Sequence, residues 1–129
     1  MSREAIIDTS VYIGQEQRRR MAVPGPPADA AVSVVTLAEL WAGLYSAEDD
    51  LTRAVRLATL QRALSTRTLL VDRVVARAWA ELRETLREVK RTMPANDSWI
   101  AATAIVHGLP VMTQDDDFSD VPGLEVIRV

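Results

Sequence analysis

The chain has 129 residues, 48% of them apolar and 26% charged, a size and composition that predict one globular domain over residues 1–129 with a single hydrophobic core. With no cysteine and a sole histidine, His107, it can build neither disulfides nor a Cys/His zinc site. The net charge of −3 and pI near 5.1 run against a protein that holds a polyanion by charge alone. No window reaches the roughly 18 apolar residues of a membrane span, and the N-terminus lacks the basic-then-apolar pattern of a signal peptide, so a cytoplasmic protein without membrane contact is expected.

Strand and helix signals alternate along the chain, which predicts an α/β domain with a mostly parallel central sheet flanked by helices. The apolar run at residues 5–7 is a strand, and Asp8, Thr9 and Ser10 are all N-cap types for a helix starting near Val11. Three prolines and a glycine make residues 21–27 a loop, and residues 31–34 are a second strand. Thr36 and Glu39 have the spacing of a capping box, with Leu37, Leu40, Trp41 and Leu44 at helical intervals as far as about Tyr45. From 49 to about 65, Leu51, Val55, Leu57, Ala58 and Leu60 form the apolar stripe of an amphipathic helix, with Arg53, Arg56 and Arg62 largely elsewhere.

A third strand follows at 68–71, then a long helix at 74–92 whose charges form a solvated face, with Arg77 placed to pair with Glu81. Pro94 ends that helix. Asn96, Asp97 and Ser98 are cap types for the next helix, which runs through Ile105 and stops at Gly108 and Pro110. Residues 111–113 and 124–127 bring the total to about five strands, with no internal repeat or interdomain linker.

Each acidic residue at these junctions has a plain reading by itself. Asp8 and Asp97 suit helix caps, Glu39 suits the partner of Thr36 in the capping box, and Asp115, Asp116 and Asp117 suit an acidic turn. Their shared address argues for more. Asp8 and Asp115 follow strands while Glu39 and Asp97 begin helices, and in a parallel sheet all these places lie along the carboxyl edge, where ligands bind. Carboxylates crowded there must take up protons or bind a cation, and hard oxygen donors without His or Cys favour Mg²⁺ or Mn²⁺ over zinc.

Four blocks of the chain resemble, in order and over nearly its whole length, the PIN-domain ribonucleases, specifically the VapC-type toxins of bacterial toxin–antitoxin pairs. They are Ile7-Asp8-Thr9-Ser10, the segment from Ser33 to Leu40 with Gly43, the segment from Asn96 to Ala104, and Thr113-Gln114-Asp115-Asp116-Asp117-Phe118. The resemblance implies an acidic site of Asp8, Glu39, Asp97 and Asp115, with Asp117 as a fifth carboxylate and Thr113 as a supporting hydroxyl. It also implies endonucleolytic cutting of RNA, a small antitoxin protein as partner, and a homodimer or a toxin–antitoxin hetero-oligomer. Phosphodiester hydrolysis by a carboxylate-bound metal needs no protein nucleophile. Asp8, Asp97 and Asp115 are assigned to the metal and Glu39 to a water, while Thr9, Ser10 and Thr113 are candidates for bonds to phosphate or neighbouring oxygens.

Arg18-Arg19-Arg20 is the densest basic run and the expected local contact with RNA. The antitoxin is expected over Trp41, Leu44, Tyr45, Leu57 and Leu60 on two adjacent amphipathic helices. His107 suits the last turn of its helix, and Trp41, Trp79 and Trp99 suit core or interface positions. An EF-hand beginning at Asp115 fails because Asp120 stands where glycine is needed. A phospho-aspartate receiver fails because Ser10 replaces the second acid and the sole lysine, Lys90, lies within a charged helix. The alternative from another class is a non-catalytic module that binds metal or a basic peptide.

Overall fold

The computed structural model describes residues 4–18 and 29–129. In chain order these form β1 (Ile6–Ile7), α1 (Thr9–Glu16), β2 (Ala31–Ser33), α2 (Val34–Tyr45), α3 (Asp50–Leu64), β3 (Arg67–Leu69), α4 (Arg73–Glu88), α5 (Ala95–His107), β4 (Val111–Thr113) and β5 (Val126–Arg128). The loop expected at 21–27 lies outside the described residues.

The five strands form one sheet in the order β3-β2-β1-β4-β5, and every neighbouring pair is parallel. β1 sits in the middle, with Ile6 opposite both Ala31 of β2 and Val111 of β4. The chain builds outward from β1 on one side through β2 and β3, then returns to lay β4 and β5 on the other. The order reverses between β1 and β4, and the carboxyl ends of the strands at such a switch point are where ligands bind in parallel sheets. Asp8 directly follows β1, and Thr113 closes β4.

Helices cover both faces of the sheet, which is why the strands read as unbroken apolar runs. Adjacent residues of β1 enter different cores. Ile6 packs in a cluster with Val75, Leu82 and Leu86 of α4 and Ile100, Ala101 and Ala104 of α5. Ile7 packs in a second cluster with Val11 and Tyr12 of α1, Leu37 and Leu40 of α2 and Leu60 of α3. The single core expected from composition is therefore two, split by the sheet.

Three local expectations change. α2 begins at Val34 with Ser33 as its cap, Ser33 Oγ accepting from Val35 N at 3.0 Å, so there is no Thr36–Glu39 capping box. Thr36 is instead buried inside the helix and Glu39 is released from capping. At α5, Pro94 holds the cap position without a side-chain bond, which leaves Asp97 in the first turn and not at the cap. In α3 the buried residues are Thr59, Leu60 and Ala63, whereas Leu51 is 77% exposed and Val55 and Leu57 are exposed too. Strand ends also shift: β3 and β5 are three residues each, and the cap of α4 is Asp72, accepting from Val75 N.

Phe118 fixes the acidic turn after β4. It is fully buried in the α4/α5 cluster although its neighbours Asp116 and Asp117 are exposed, so one aromatic ring anchors the turn to the core. Phe118→Ala should cost about 3–5 kcal/mol in equilibrium denaturant unfolding; a loss below about 1 kcal/mol would show that the turn is held by something else.

Candidate active site

Asp8 is 1% exposed, and three donors meet on one of its oxygens. Ser10 Oγ donates to Oδ2 at 2.7 Å, Thr113 Oγ1 at 2.9 Å and the Ser10 backbone N–H at 3.4 Å. The last contact is the N-cap bond of α1, so the capping reading of Asp8 holds and the side chain does more besides. Each hydroxyl receives a backbone N–H in turn, Gln114 N donating to Ser10 Oγ and Asp115 N to Thr113 Oγ1, both at 2.9 Å. Proton direction is thereby set: amides of the acidic turn give to the hydroxyls, and the hydroxyls give to Asp8. Oδ1 lies outside this network of Ser10 and Thr113.

Glu39 reaches the same region from α2. Thr9 Oγ1 donates to Glu39 Oε1 at 2.8 Å and stands 3.0 Å from Thr36 Oγ1. A hydroxyl has one proton, and a carboxylate is the stronger acceptor. Thr36, which the sequence suggested as a cap, is in the structure a buried hydroxyl behind the Thr9–Glu39 contact.

Asp97 completes the cluster from the first turn of α5. Its carboxyl is pushed up from the ordinary 3.8 to about 8, first by burial, then by the negative charge of Asp8, by a hydrogen bond and charge from Asp117, and by the charge of Glu39. Carboxyls from the end of β1, from α2, from α5 and from the acidic turn thus share one field, and this field together with burial keeps a proton on Asp97 near neutral pH. Of the turn, Asp117 is the residue whose side chain meets Asp97, while the backbone of Asp115 is tied to Thr113. Asp116 points away into an ion pair with Arg128.

Arg91 was not singled out by sequence reading, yet its guanidinium donates to the Asp117 carbonyl at 2.7 Å. The partners are 26 residues apart and no spacing rule links them. Arg18 is exposed just past α1, and Arg19 and Arg20 lie outside the described residues.

Oxygen-only donors carrying several negative charges suit a hard divalent cation. Among the described residues, no three of these carboxylates already stand as a ready-made metal cage. They lie close enough to raise Asp97 without converging on one point, as uncompensated like charges should. The site fits a cation by the chemistry and charge of its donors.

That crowding has a thermodynamic sign. Without divalent cation, Asp97 is protonated in the folded chain and ionised in the unfolded chain between its ordinary pKa and about 8. The stability it contributes is complete below the ordinary value and is lost as pH rises through about 8. In EDTA, thermal melting of the wild type should fall over that window, and Asp97→Asn, neutral throughout, should flatten the decline. A variant that declines as steeply as the wild type would remove Asp97 from the cluster.

The sequence profile of the PIN domain matches residues 5–124. Ribonuclease VapC4 of Mycobacterium tuberculosis is 44% identical over 127 residues, which cover 98% of this chain and 98% of that protein. Ribonuclease VapC5 of the same organism is 46% identical over 127 residues, covering 96% and 94%. Among solved structures, VapBC-5 of M. tuberculosis, a member of the VapBC family of toxin–antitoxin systems, matches with a TM-score of 0.87 at 43% identity over 99% of this chain and 100% of that one. With the profile, the relatives and the fold in agreement, this chain belongs to the PIN-domain family, in its VapC group.

Proposed function

We propose that the protein is an endoribonuclease that hydrolyses RNA phosphodiester bonds with Mg²⁺ or Mn²⁺, and that it is the toxin of a toxin–antitoxin pair. The observation that carries this reading is the gathering of Asp8, Glu39, Asp97 and Asp117 at one sheet edge, where burial first and then the three neighbouring carboxyls keep a proton on Asp97, a cost that a cation would relieve. The relatives named ribonuclease VapC and the solved toxin–antitoxin structure support the same reading.

Asp8, Asp97 and Asp115 are the proposed metal ligands, with Asp117 as a further carboxyl. When bound, the ion supplies Lewis-acid stabilisation of phosphoryl charge and lowers the pKa of a bound water. The chain's own residues prepare that chemistry. Ser10 and Thr113 hold Asp8 in one orientation, so its desolvated carboxylate does not reorganise when substrate arrives. Thr9 holds Glu39, which orients the attacking water by accepting a hydrogen bond from it. Asp97 must give up its proton before it can ligate, so metal binding releases a proton near neutral pH.

A surface away from this cluster supports the antitoxin. Trp41 and Tyr45 on α2 and Leu51, Val55 and Leu57 on the adjoining α3 are exposed, Tyr45 at 79%. Leu60, part of the face expected to receive the partner, belongs to the core instead, and Leu44 is partly buried against it. Two neighbouring helices with exposed apolar residues match the helix-in-groove mode of recognition.

Asp8→Asn, Asp97→Asn and Asp115→Asn should each lower Mn²⁺-dependent cleavage of RNA by far more than tenfold, that is, by more than about 1.4 kcal/mol, and EDTA should abolish cleavage by the wild type. Cleavage at wild-type rates by two of the three variants would refute the ligand assignment. Expressed alone in a bacterial host, the wild type should arrest growth and Asp8→Asn should not. Normal growth with abundant folded wild-type protein would overturn the toxin reading.

A further inference from the structure

Beside α4, and reaching the start of α5, lies a cavity of about 830 Å³, within the roughly 300–1,000 Å³ of ligand pockets. Arg83, Arg87, Lys90 and Arg91 line it against one acid, Glu84, which pairs with Arg87. Four cations against one anion make a local surplus of three positive charges in a chain whose total is −3. Trp79 forms part of the wall. Its ring stacks on Trp99 with centroids 4.2 Å apart and planes 2° from parallel, and its Nε1 donates to Ser98 Oγ at 2.9 Å. The Arg83 guanidinium lies 4.8 Å from the Trp79 ring centroid and takes the face that Trp99 leaves.

This cavity adjoins the acidic cluster. Ser98 follows Asp97 in the chain, and Arg91, also in the lining, donates to the Asp117 carbonyl at 2.7 Å. A site of carboxylates repels phosphates, so a strand whose scissile bond reaches it needs cations to hold its flanking phosphates. We propose that the cavity lined by Arg83, Arg87, Lys90 and Arg91 holds the sugar-phosphate strand of single-stranded RNA next to the bond to be cut; this rests on the ribonuclease reading above. Both faces of Trp79 are covered, so the cavity reads phosphate and not base, and its contribution is independent of sequence. Four like charges also disfavour a second copy of the chain seated against its own image here.

The test compares Arg83→Gln and Lys90→Gln with Arg77→Gln, which removes the same charge from α4 outside the cavity. Binding of a short fluorescent oligouridylate is followed by anisotropy in EDTA across a salt series, and cleavage is followed separately in Mn²⁺. Each cavity variant should bind about three- to tenfold more weakly, with the salt slope reduced by about 0.7, and should raise KM for cleavage while kcat holds. Arg77→Gln should bind as the wild type does. If the wild type cleaves RNA and the cavity variants match Arg77→Gln in affinity and slope, the cavity proposal falls and the ribonuclease reading stands. If no RNA is cleaved but binding weakens at the cavity alone, the cavity stands as an RNA-binding site, and the ribonuclease reading falls together with the placing of the strand beside a scissile bond. Wild type that fails to bind the oligonucleotide at low salt overturns the cavity proposal outright.

Discussion

Everything at the carboxyl edge depends on the convergence of two hydroxyl protons on Asp8 Oδ2. Ser10 comes from α1 and Thr113 from β4, on opposite sides of the place where strand order reverses. A nearly inaccessible carboxylate is tolerated where charge-assisted hydrogen bonds replace its water, and these two bonds do so while joining the ends of two strands. The amides of Gln114 and Asp115 feed the same hydroxyls, so the start of the acidic turn is positioned by the network that orients Asp8. Position of the turn and orientation of the buried acid are therefore one constraint.

Electrostatics divides the molecule into unlike neighbours. Burial and the carboxyls gathered around Asp97 together keep a proton on it, and a basic cavity begins within a residue or two of the same helix start. Net charge averages the two away. A total of −3 describes neither place, because attraction of a phosphate depends on charges within about a Debye length, near 10 Å at moderate salt. Arg91 bridges the regions, lining the cavity while its guanidinium holds the backbone of the acidic turn.

Packing is spent unevenly. Around the sheet, α4 and α5 on one face and α1 with parts of α2 and α3 on the other turn most of their apolar residues inward, and Phe118 draws the acidic turn into that order. Away from the sheet, α2 and α3 expose a tryptophan, a tyrosine and several aliphatic residues. Scattered apolar side chains on a surface are ordinary, whereas the set on these two adjoining helices is the surface proposed above for the antitoxin.

Much of this was legible in the residues alone. Unbroken apolar strands alternating with periodic helices dictate a parallel α/β sheet, because only a sheet covered on both faces wants Ile6 and Ile7 both apolar. The acids at strand and helix junctions then fall on one edge by topology. Local rules failed where a long-range contact outbid them. Thr36 and Glu39 have the spacing of a capping box, but Ser33, three residues before Thr36, caps α2, and Thr9, 30 residues from Glu39, takes its carboxylate. Asp97 suits a cap by type, yet Pro94 starts α5 and turns that carboxyl toward Asp8, Asp117 and Glu39. The α3 stripe has helical periodicity, which states that a face is apolar without stating what meets it. Sequence determines which side chains lie at each junction, through propensity and pattern that act over a few residues. Which carboxyl keeps a proton, which hydroxyl serves it and which arginine guards the turn were decided by tertiary structure, because those energies come from groups tens of residues apart that meet only after the sheet has formed.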